Sequence, residues 1–329
     1  MRDQFVPRMD LYQKTLELLL QIPPGKVTTY KDLALALGDA RAARAVGEIM
    51  SNNRRPEKYP CWRVVHTDGR VGKYSGEGGR EEKVRRMEEE GISVSEGKIG
   101  NFGRVRFADF ESDRPLKKLR GLQRRVGEES EEKELDIGEI ERIGGVDLSY
   151  SGRRAVAAYV EMRESGGEEL YRETLLEEVN FPYIPTFLAF REIPPMAHLL
   201  EKVKEERGLA NLILVDGNGR LHPLGAGSAT HLGVALEWPT AGVAKKLLCG
   251  ETEGEGELAV GEKTAVNFQG EKIGYALKTS KRANPIYVSR GHLSDLSTCV
   301  EAVLKSSRYK LPEPLREAHK LCKGKASSL

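Results

Sequence analysis

Cysteine is scarce in this chain: Cys61, Cys249, Cys299 and Cys322 are the only four in 329 residues. So few and so scattered a set excludes a disulfide framework. With no Cys-x-x-Cys pair, a structural zinc site is not expected either. No apolar run reaches the length of a membrane span, and Met1-Arg2-Asp3-Gln4 lacks the character of a secretory signal. These absences set the expectation of a cytoplasmic protein in a reducing compartment, with no membrane partner. Internal repeats and low-complexity tracts are also missing.

What is present is enough material for two domains of ordinary size. Hydrophobic residues make up 39% of the chain, which supports packed cores, and charged residues 31%, which suits a solvated surface. The formal net charge of +2 says little as a whole. Its distribution says more: residues 41–63 hold Arg41, Arg44, Arg54, Arg55, Lys58 and Arg63 against Glu48 and Glu57. A local excess of that kind suits phosphate contacts, although a solvated helix face has the same composition.

Helical periodicity over Leu11–Leu20 stops at Pro23-Pro24-Gly25. Thr28-Thr29 then offers a cap for a short helix over Tyr30–Leu37, Gly38-Asp39 a turn, and Ala40–Ser51 a second helix, a helix-turn-helix pattern. Gly69, Gly72, Gly76, Gly78 and Gly79 mark a loop able to form a wing, and Lys83–Glu90 reads as helix. A charged stretch from Ala108 to Asp136, helical over Leu116–Val126, is the expected junction. The domains are accordingly set at 1–107 and 108–329. Beyond the junction, Ile143–Tyr150 and Arg154–Met162 flank Ser151-Gly152 as a hairpin, with a third strand over Glu168–Val179. Met196–Arg207, Ala229–Leu236 and Leu296–Lys305 read as helices. Asn211–Val215, Lys272–Leu277 and Pro285–Val288 read as strands. Strands first and alternation later predict an α/β fold with a mixed sheet covered by helices.

Cys61 in Pro60-Cys61-Trp62-Arg63-Val64 is a candidate nucleophile, since a thiolate accepts an alkyl group by direct displacement. Taken alone it reads as a buried small hydrophobe. Its surroundings decide otherwise. Ile22-Pro23-Pro24-Gly25-Lys26-Val27-Thr28-Thr29-Tyr30, Ala42-Ala43-Arg44-Ala45-Val46-Gly47, Asn53 eight residues before Cys61, and Tyr74-Ser75-Gly76 together resemble the O6-alkylguanine-DNA alkyltransferases over residues 9–103. The resemblance implies a mainly α, winged helix-turn-helix DNA-binding domain that needs no cofactor. It implies Cys61 as alkyl acceptor and Arg44 as the side chain that fills the gap of a flipped guanine. Tyr30 would press on the adjacent phosphate, Asn53 would order the turn, and Tyr74 and Ser75 would hydrogen-bond the guanine. Glu90 matches the carboxylate of the family's Cys-His-Glu relay. In the family's motif, Pro-Cys-His-Arg-Val, the His stands where this chain has Trp62. Indole has no basic nitrogen, so Cys61 needs another route for its proton. The alternative is a module that binds alkylated guanine without reacting. Family members of that kind replace the Cys, which this chain keeps.

A second constellation lies downstream. Asp147 sits in an apolar strand, where a carboxylate is costly without a metal or a partner. Asp216 ends Leu212-Ile213-Leu214-Val215, where ligands meet an α/β sheet, although a turn cap reads the same way. Glu192 follows Phe187-Leu188-Ala189-Phe190. Carboxylates gathered in this way call for a hard cation, which in phosphodiester hydrolysis activates water and stabilises the leaving oxygen. Gly145-Val146-Asp147, Pro182-Tyr183-Ile184-Pro185 with Phe190-Arg191-Glu192, Val215-Asp216-Gly217 with His222-Pro223, Gly242-Val243-Ala244-Lys245, and Pro312-Glu313-Pro314 with His319 resemble endonuclease V over residues 112–325. An RNase H-like sheet is implied, with cleavage at the second phosphodiester 3′ to deoxyinosine or another deaminated base. So is Mg2+ (or Mn2+) held by Asp147 and Asp216 with Glu192 nearby. His222, Lys245 and His319 would contact the scissile phosphate or the attacking water. Pro182, Tyr183, Ile184 and Pro185 would be a strand-separating wedge, and Gly217 and Gly227 would let backbone approach the flipped base. Thr186 stands where relatives often have Gly.

The expectation is a multidomain, bifunctional DNA-repair enzyme: a suicidal methyltransferase joined to a metal-dependent endonuclease. Its partner is double-stranded DNA with alkylated or deaminated bases, with RNA as an alternative substrate, and the chain is expected to be a monomer. A lesion-sensing module fused to an active nuclease is the second reading. Transcriptional control by the helix-turn-helix beside a degenerate nuclease is the third.

Overall fold

Thr29 shows how the N-terminal sequence becomes structure. Its side chain accepts a hydrogen bond from Asp32 N at 3.0 Å, and Thr29 N donates to Asp32 Oδ2 at 3.3 Å, a capping box worth about 1 kcal/mol. Arg106 holds the same carboxylate at 2.6 Å. At the other end of that helix Gly38 takes φ +107, and a side chain there would meet Lys117 N at 2.8 Å, so only glycine fits. The structure, a computed structural model, describes residues 1–329.

Chain contacts divide the molecule into two units. One holds Met9–Gly121 and Asn180–Leu188; the other holds Met1–Arg8, Leu122–Val179 and Ala189–Leu329. The first is mainly helical: α1 (Leu11–Leu18), α2 (Tyr30–Leu37), α3 (Ala43–Ser51), α4 (Gly79–Glu89) and α5 (Phe102–Val105), with α6 (Pro115–Glu128) after it. Strands β1 (Thr28–Thr29) and β2 (Val64–Val65) pair in parallel, and β3 (Val94–Ser95) and β4 (Lys98–Ile99) form a small hairpin. Val27, Val65, Met87, Ile92 and Ile99 make a core against which Trp62 packs. The glycine loop before α4 forms no strand and meets the hairpin through an Arg70–Lys98 bridge and two backbone hydrogen bonds, Val71 N to Gly97 O at 2.9 Å and Ile99 N to Gly69 O at 3.0 Å.

The second unit is built on an eight-stranded mixed sheet. Its strands are β5 (Arg142–Ser151), β6 (Arg154–Arg163), β7 (Glu169–Glu178), β8 (Leu212–Asp216), β9 (Thr240–Ala244), β10 (Lys263–Phe268), β11 (Glu271–Leu277) and β12 (Ile286–Arg290). They run in the order β10-β11-β12-β9-β8-β5-β6-β7. The three central strands, β9, β8 and β5, are parallel and the outer ones antiparallel. Both faces are covered, as a parallel centre requires. Helices α7 (Ala189–Arg207) and α8 (Ser228–Leu236) pack on one face with Val146, Ile213 and Val215. On the other face, α9 (Leu296–Lys305) and α10 (Glu313–Ala326) pack with Ile143, Leu212, Leu214 and Val160. The alternation along β5 and β8 therefore turns Asp147 and Asp216 toward the face of α10.

Residues 1–8 belong to this second unit. Phe5 is fully buried among the α7 and α8 side chains, and His231 Nε2 lies 2.7 Å from Phe5 O. Helix α7 starts at Ala189, seven residues before the predicted Met196, and carries Pro194 and Pro195 inside it, where each removes one i→i−4 hydrogen bond. Strands β9 and β10 and helix α10 are elements that periodicity did not reveal.

Candidate active sites

Cys61 opens a single 3₁₀ turn, Cys61–Arg63, between Pro60 and β2. It is 3% exposed and faces a cavity of about 210 Å3 shared with Tyr30, Met50, Tyr74, Ser75 and Lys83. Burial pushes the thiol up, and Asn53 together with the charges of Lys83 and Arg86 opposes the rise. Asn53 is buried and orders the approach to the turn: Nδ2 donates to Tyr59 O at 2.9 Å, and Oδ1 accepts from Arg55 N at 3.1 Å. Tyr74 Oη is buried and lacks a hydrogen-bond partner. Ser75 Oγ donates to Met50 O at 3.2 Å. Arg44 is exposed on α3.

Trp62 keeps half of the expected relay. Its Nε1 donates to Glu90 Oε1 at 2.9 Å. Arg63 takes the same carboxylate from a second side, Nη2 at 2.8 Å from Oε1, and Gly25 N donates to Oε2 at 3.2 Å. Burial acts to raise the Glu90 carboxyl, but these hydrogen bonds outweigh it and leave it below the usual range. The indole also lies under the Arg86 guanidinium at 4.8 Å. His66 is exposed, its ring against Tyr30 at 5.5 Å.

The second site forms where the central strands end. The pairing Val146↔Val215 sets Asp147 and Asp216 one residue further on, side by side on parallel strands. Glu192 joins them from the first turn of α7, and Ser228 Oγ donates to its Oε2 at 3.0 Å. Burial, then the charges of Asp147 and Asp216, push Glu192 up to about 8. Asp147 is raised by burial first and by Asp216 second. Two side chains face the carboxylates: Lys245 Nζ pairs with Asp216 Oδ2, and His319 Nδ1 lies 2.8 Å from Asp147 Oδ2. Gly145 makes the second contact possible. A side chain there would meet Pro314 C at 2.3 Å, so glycine lets α10 close onto β5 and carry His319 to Asp147.

The other expected residues are placed as follows. His222 Nδ1 accepts from Leu224 N at 3.1 Å and Ala226 N at 3.3 Å, which fixes the ring within the loop after β8. Gly217 and Gly227 lie on that loop. At Gly227 a side chain would strike Asn218 O at 2.2 Å, so loop packing already requires glycine. In the Pro182–Pro185 segment, Ile184 is fully buried and Pro182 buried, while Tyr183 is 54% exposed. Thr186 follows with φ +69, a conformation that suits glycine far better than a β-branched residue. Its Oγ1 accepts from Arg120 Nη2 at 2.6 Å and from Arg41 Nη1 at 3.3 Å.

Sequence reasoning missed Lys83, Ser228 and Cys322. Lys83 had a signal, since it shares the buried face of α4 with Met87, four residues on. Cys322, Asp147 and His319 bring one ligand atom each within 4.8 Å of one another.

The endonuclease V family model matches residues 120–320, and the model for the 6-O-methylguanine DNA methyltransferase DNA-binding domain matches residues 10–92. A bifunctional methyltransferase/endonuclease of Picrophilus torridus is 34% identical over 311 residues, 94% of this chain and 95% of that one. Another from Thermoplasma volcanium is 41% identical over 240 residues, 73% of this chain and 71% of that one. The crystal structure of Ciona intestinalis endonuclease V, in complex with a DNA containing an inosine followed by a ribo-adenosine, is 25% identical. It superposes with a TM-score of 0.60 over 66% of this chain and 99% of that one.

Proposed function

This chain belongs to the bifunctional methyltransferase/endonuclease family, and on that premise we propose which residues carry each activity and how. The protein is a DNA-repair enzyme that combines alkyl transfer with endonuclease V activity. In our reading the winged helix-turn-helix domain lies within residues 1–107, with α3 as the recognition helix. The sheet of the second unit is RNase H-like.

Cys61 is the alkyl acceptor. Its sulfur forms a bond to the alkyl carbon of O6-alkylguanine, and the carbon–O6 bond breaks with its electron pair passing to the guanine. The cavity at Cys61 takes the flipped base, and the unpartnered Tyr74 hydroxyl is the donor that meets it. Ser75 sits beside it. Arg44, exposed on α3, fills the gap in the stack, and Tyr30 presses on the neighbouring phosphate. Asn53 and Glu90 hold the turn that carries Cys61.

Asp147, Asp216 and Glu192 form the nuclease centre. Raised carboxyls, buried and pushed up by one another, mark a site short of positive charge, which fits a hard divalent cation such as Mg2+ or Mn2+. When bound, that ion supplies an activated water and stabilises the leaving oxygen. Asp147 and Asp216 would hold it directly, with Glu192 nearby. Lys245 and His319 are placed to receive the scissile phosphate once the carboxylates turn to the ion, and His222 orients from its loop. Tyr183, presented by the rigid Pro182–Pro185 segment, enters between the strands at the lesion. The proposed substrate of this half is double-stranded DNA holding deoxyinosine or another deaminated base.

The observation that carries the reading is the pair of sites itself: a buried thiol on a cavity with an orphan hydroxyl, and three carboxylates converging at the ends of parallel strands. The test uses one preparation and two duplexes. With O6-methylguanine, the Cys61 peptide gains one methyl group, and Cys61→Ala abolishes it while deoxyinosine nicking stays within twofold. Asp147→Ala lowers nicking at least 100-fold and leaves methyl transfer intact. A Cys61 that stays unmodified while the duplex binds tightly would make the first unit a sensor.

A further inference from the structure

Trp62 leaves Cys61 without the family's proton acceptor, and the same cavity holds another candidate. Lys83 is 1% exposed, one of the largest fully buried side chains in the molecule. It projects from α4, which packs on the Cys61–Arg63 turn. Its Nζ donates to Val64 O at 2.6 Å and reaches Lys73 O at 3.5 Å. These carbonyls lie three and twelve residues beyond Cys61, so they fix the amine at the cavity wall. Lys83 forms no salt bridge, and a buried ammonium without an anion is costly. Three groups lining its cavity ionise to anions: Cys61, Tyr30 and Tyr74. Burial raises all three, and the thiol starts from the lowest ordinary value.

We infer that Lys83 takes the proton of Cys61 in this chain, in the place of the missing histidine. The inference rests on Cys61 being the alkyl acceptor. Neutral Lys83 Nζ accepts the Sγ proton, directly or across one water, to give a thiolate beside an ammonium. The thiolate displaces the guanine from the alkyl carbon, and the guanine leaves with the electron pair. The ammonium then returns the proton to the departing base. Burial, the dominant influence on Lys83, brings it down to about 8, so that a usable fraction is neutral near neutral pH. The remaining charged neighbours do not replace it. Lys73 also lines the cavity, but its side chain is exposed whereas Lys83 is buried. Arg86 lies over Trp62 and Tyr74 and is held by Glu82; Arg80 also acts on Lys83 by charge, and neither guanidinium gives up a proton. His66 is exposed against Tyr30 and does not line the cavity.

The test is made on the full chain. Methylation of Cys61 by an O6-methylguanine duplex and alkylation of Cys61 by iodoacetamide are both followed by peptide mass from pH 6 to 10. Lys83→Met removes the amine at similar volume, and Lys83→Gln does so with a polar side chain should Met disturb the fold. Lys83→Arg keeps the charge without accepting a proton. Unchanged deoxyinosine nicking and duplex affinity certify each variant. Methyl transfer at pH 7.5 should fall at least tenfold in all three, and the iodoacetamide profile should move up by at least one pH unit in Lys83→Met. Adding Trp62→His should restore transfer to Lys83→Met. Equal rates in wild type and Lys83→Met, full activity in Lys83→Arg, or loss in His66→Gln instead would overturn the inference. If the wild type transfers no methyl group but the iodoacetamide profile still moves in Lys83→Met, it is the alkyl-acceptor reading that fails and the proton pairing that stands.

Discussion

Glu192 keeps its proton up to about pH 8 because burial, Asp147 and Asp216 all penalise its charge. Its ordinary value is 4.5, so between 4.5 and 8 the folded protein binds more protons than the unfolded chain. Stability of the metal-free protein therefore falls as pH rises through that window, and Asp147 adds to the slope with the same sign. We expect calorimetry in a chelator to show this fall, and Glu192→Gln to reduce it by about 1–3 kcal/mol between pH 5 and 8. An identical slope in the variant would remove Glu192 from the carboxylate cluster. At this scale the sequence was informative where chemistry is costly to conceal. A thiol in a charged loop, an aspartate in an apolar strand and another at a strand end each stood out. Lys83 did not, because in a helix this rich in Lys, Arg and Glu nothing separates the one buried cation from its solvated neighbours except the position of Met87.

Helix α10 delivers His319, and it does so because β5 offers a strip without side chains. The expected consequence of Gly145→Ala is sharp. The new methyl would meet Pro314 C at 2.3 Å and Leu315 N at 2.5 Å, backbone atoms that yield only if the helix moves. A loss of about 1–3 kcal/mol is expected, and nicking should drop at least tenfold as His319 leaves Asp147, with methyl transfer unchanged. Gly324→Ala, on the same helix with nothing within 4 Å, is the control and should be neutral or stabilising by up to about 1 kcal/mol. If the two substitutions gave equal nicking rates, the close approach would have no part in placing His319. Elements such as β5, β6 and α9 were readable from period alone. Others gave no period: β9 is five buried residues, and α10 mixes Pro314, a buried Glu313 and Gly324. The position of α7 was misjudged because Pro194 and Pro195 look like a stop when the start of the helix is unknown.

At the scale of the molecule, neither unit is one continuous stretch of chain. The predicted division at 107/108 follows composition, whereas by contact residues 1–8 lie with the sheet and residues 180–188 with the helices. Such pairings are invisible to composition, since each rests on a handful of residues far away in sequence. Phe5→Ala should therefore cost the sheet unit about 3–5 kcal/mol, although it lies nearest in sequence to the alkyl-acceptor half. Thermal inactivation of nicking should shift to lower temperature while inactivation of methyl transfer does not. Equal shifts in both activities would show that the Phe5 contact does not belong to one unit.

The burial of Phe5 also sets an order of events during synthesis. The side chain leaves the ribosome well before α8, which completes its pocket and is finished only at Leu236. At ordinary elongation rates the interval is on the order of 10–50 s. The helices around Cys61 have time to fold within it, while Phe5 stays unburied and open to any chaperone. The sheet half thus matures only when a much later part of the chain reaches back to the segment that carries Phe5.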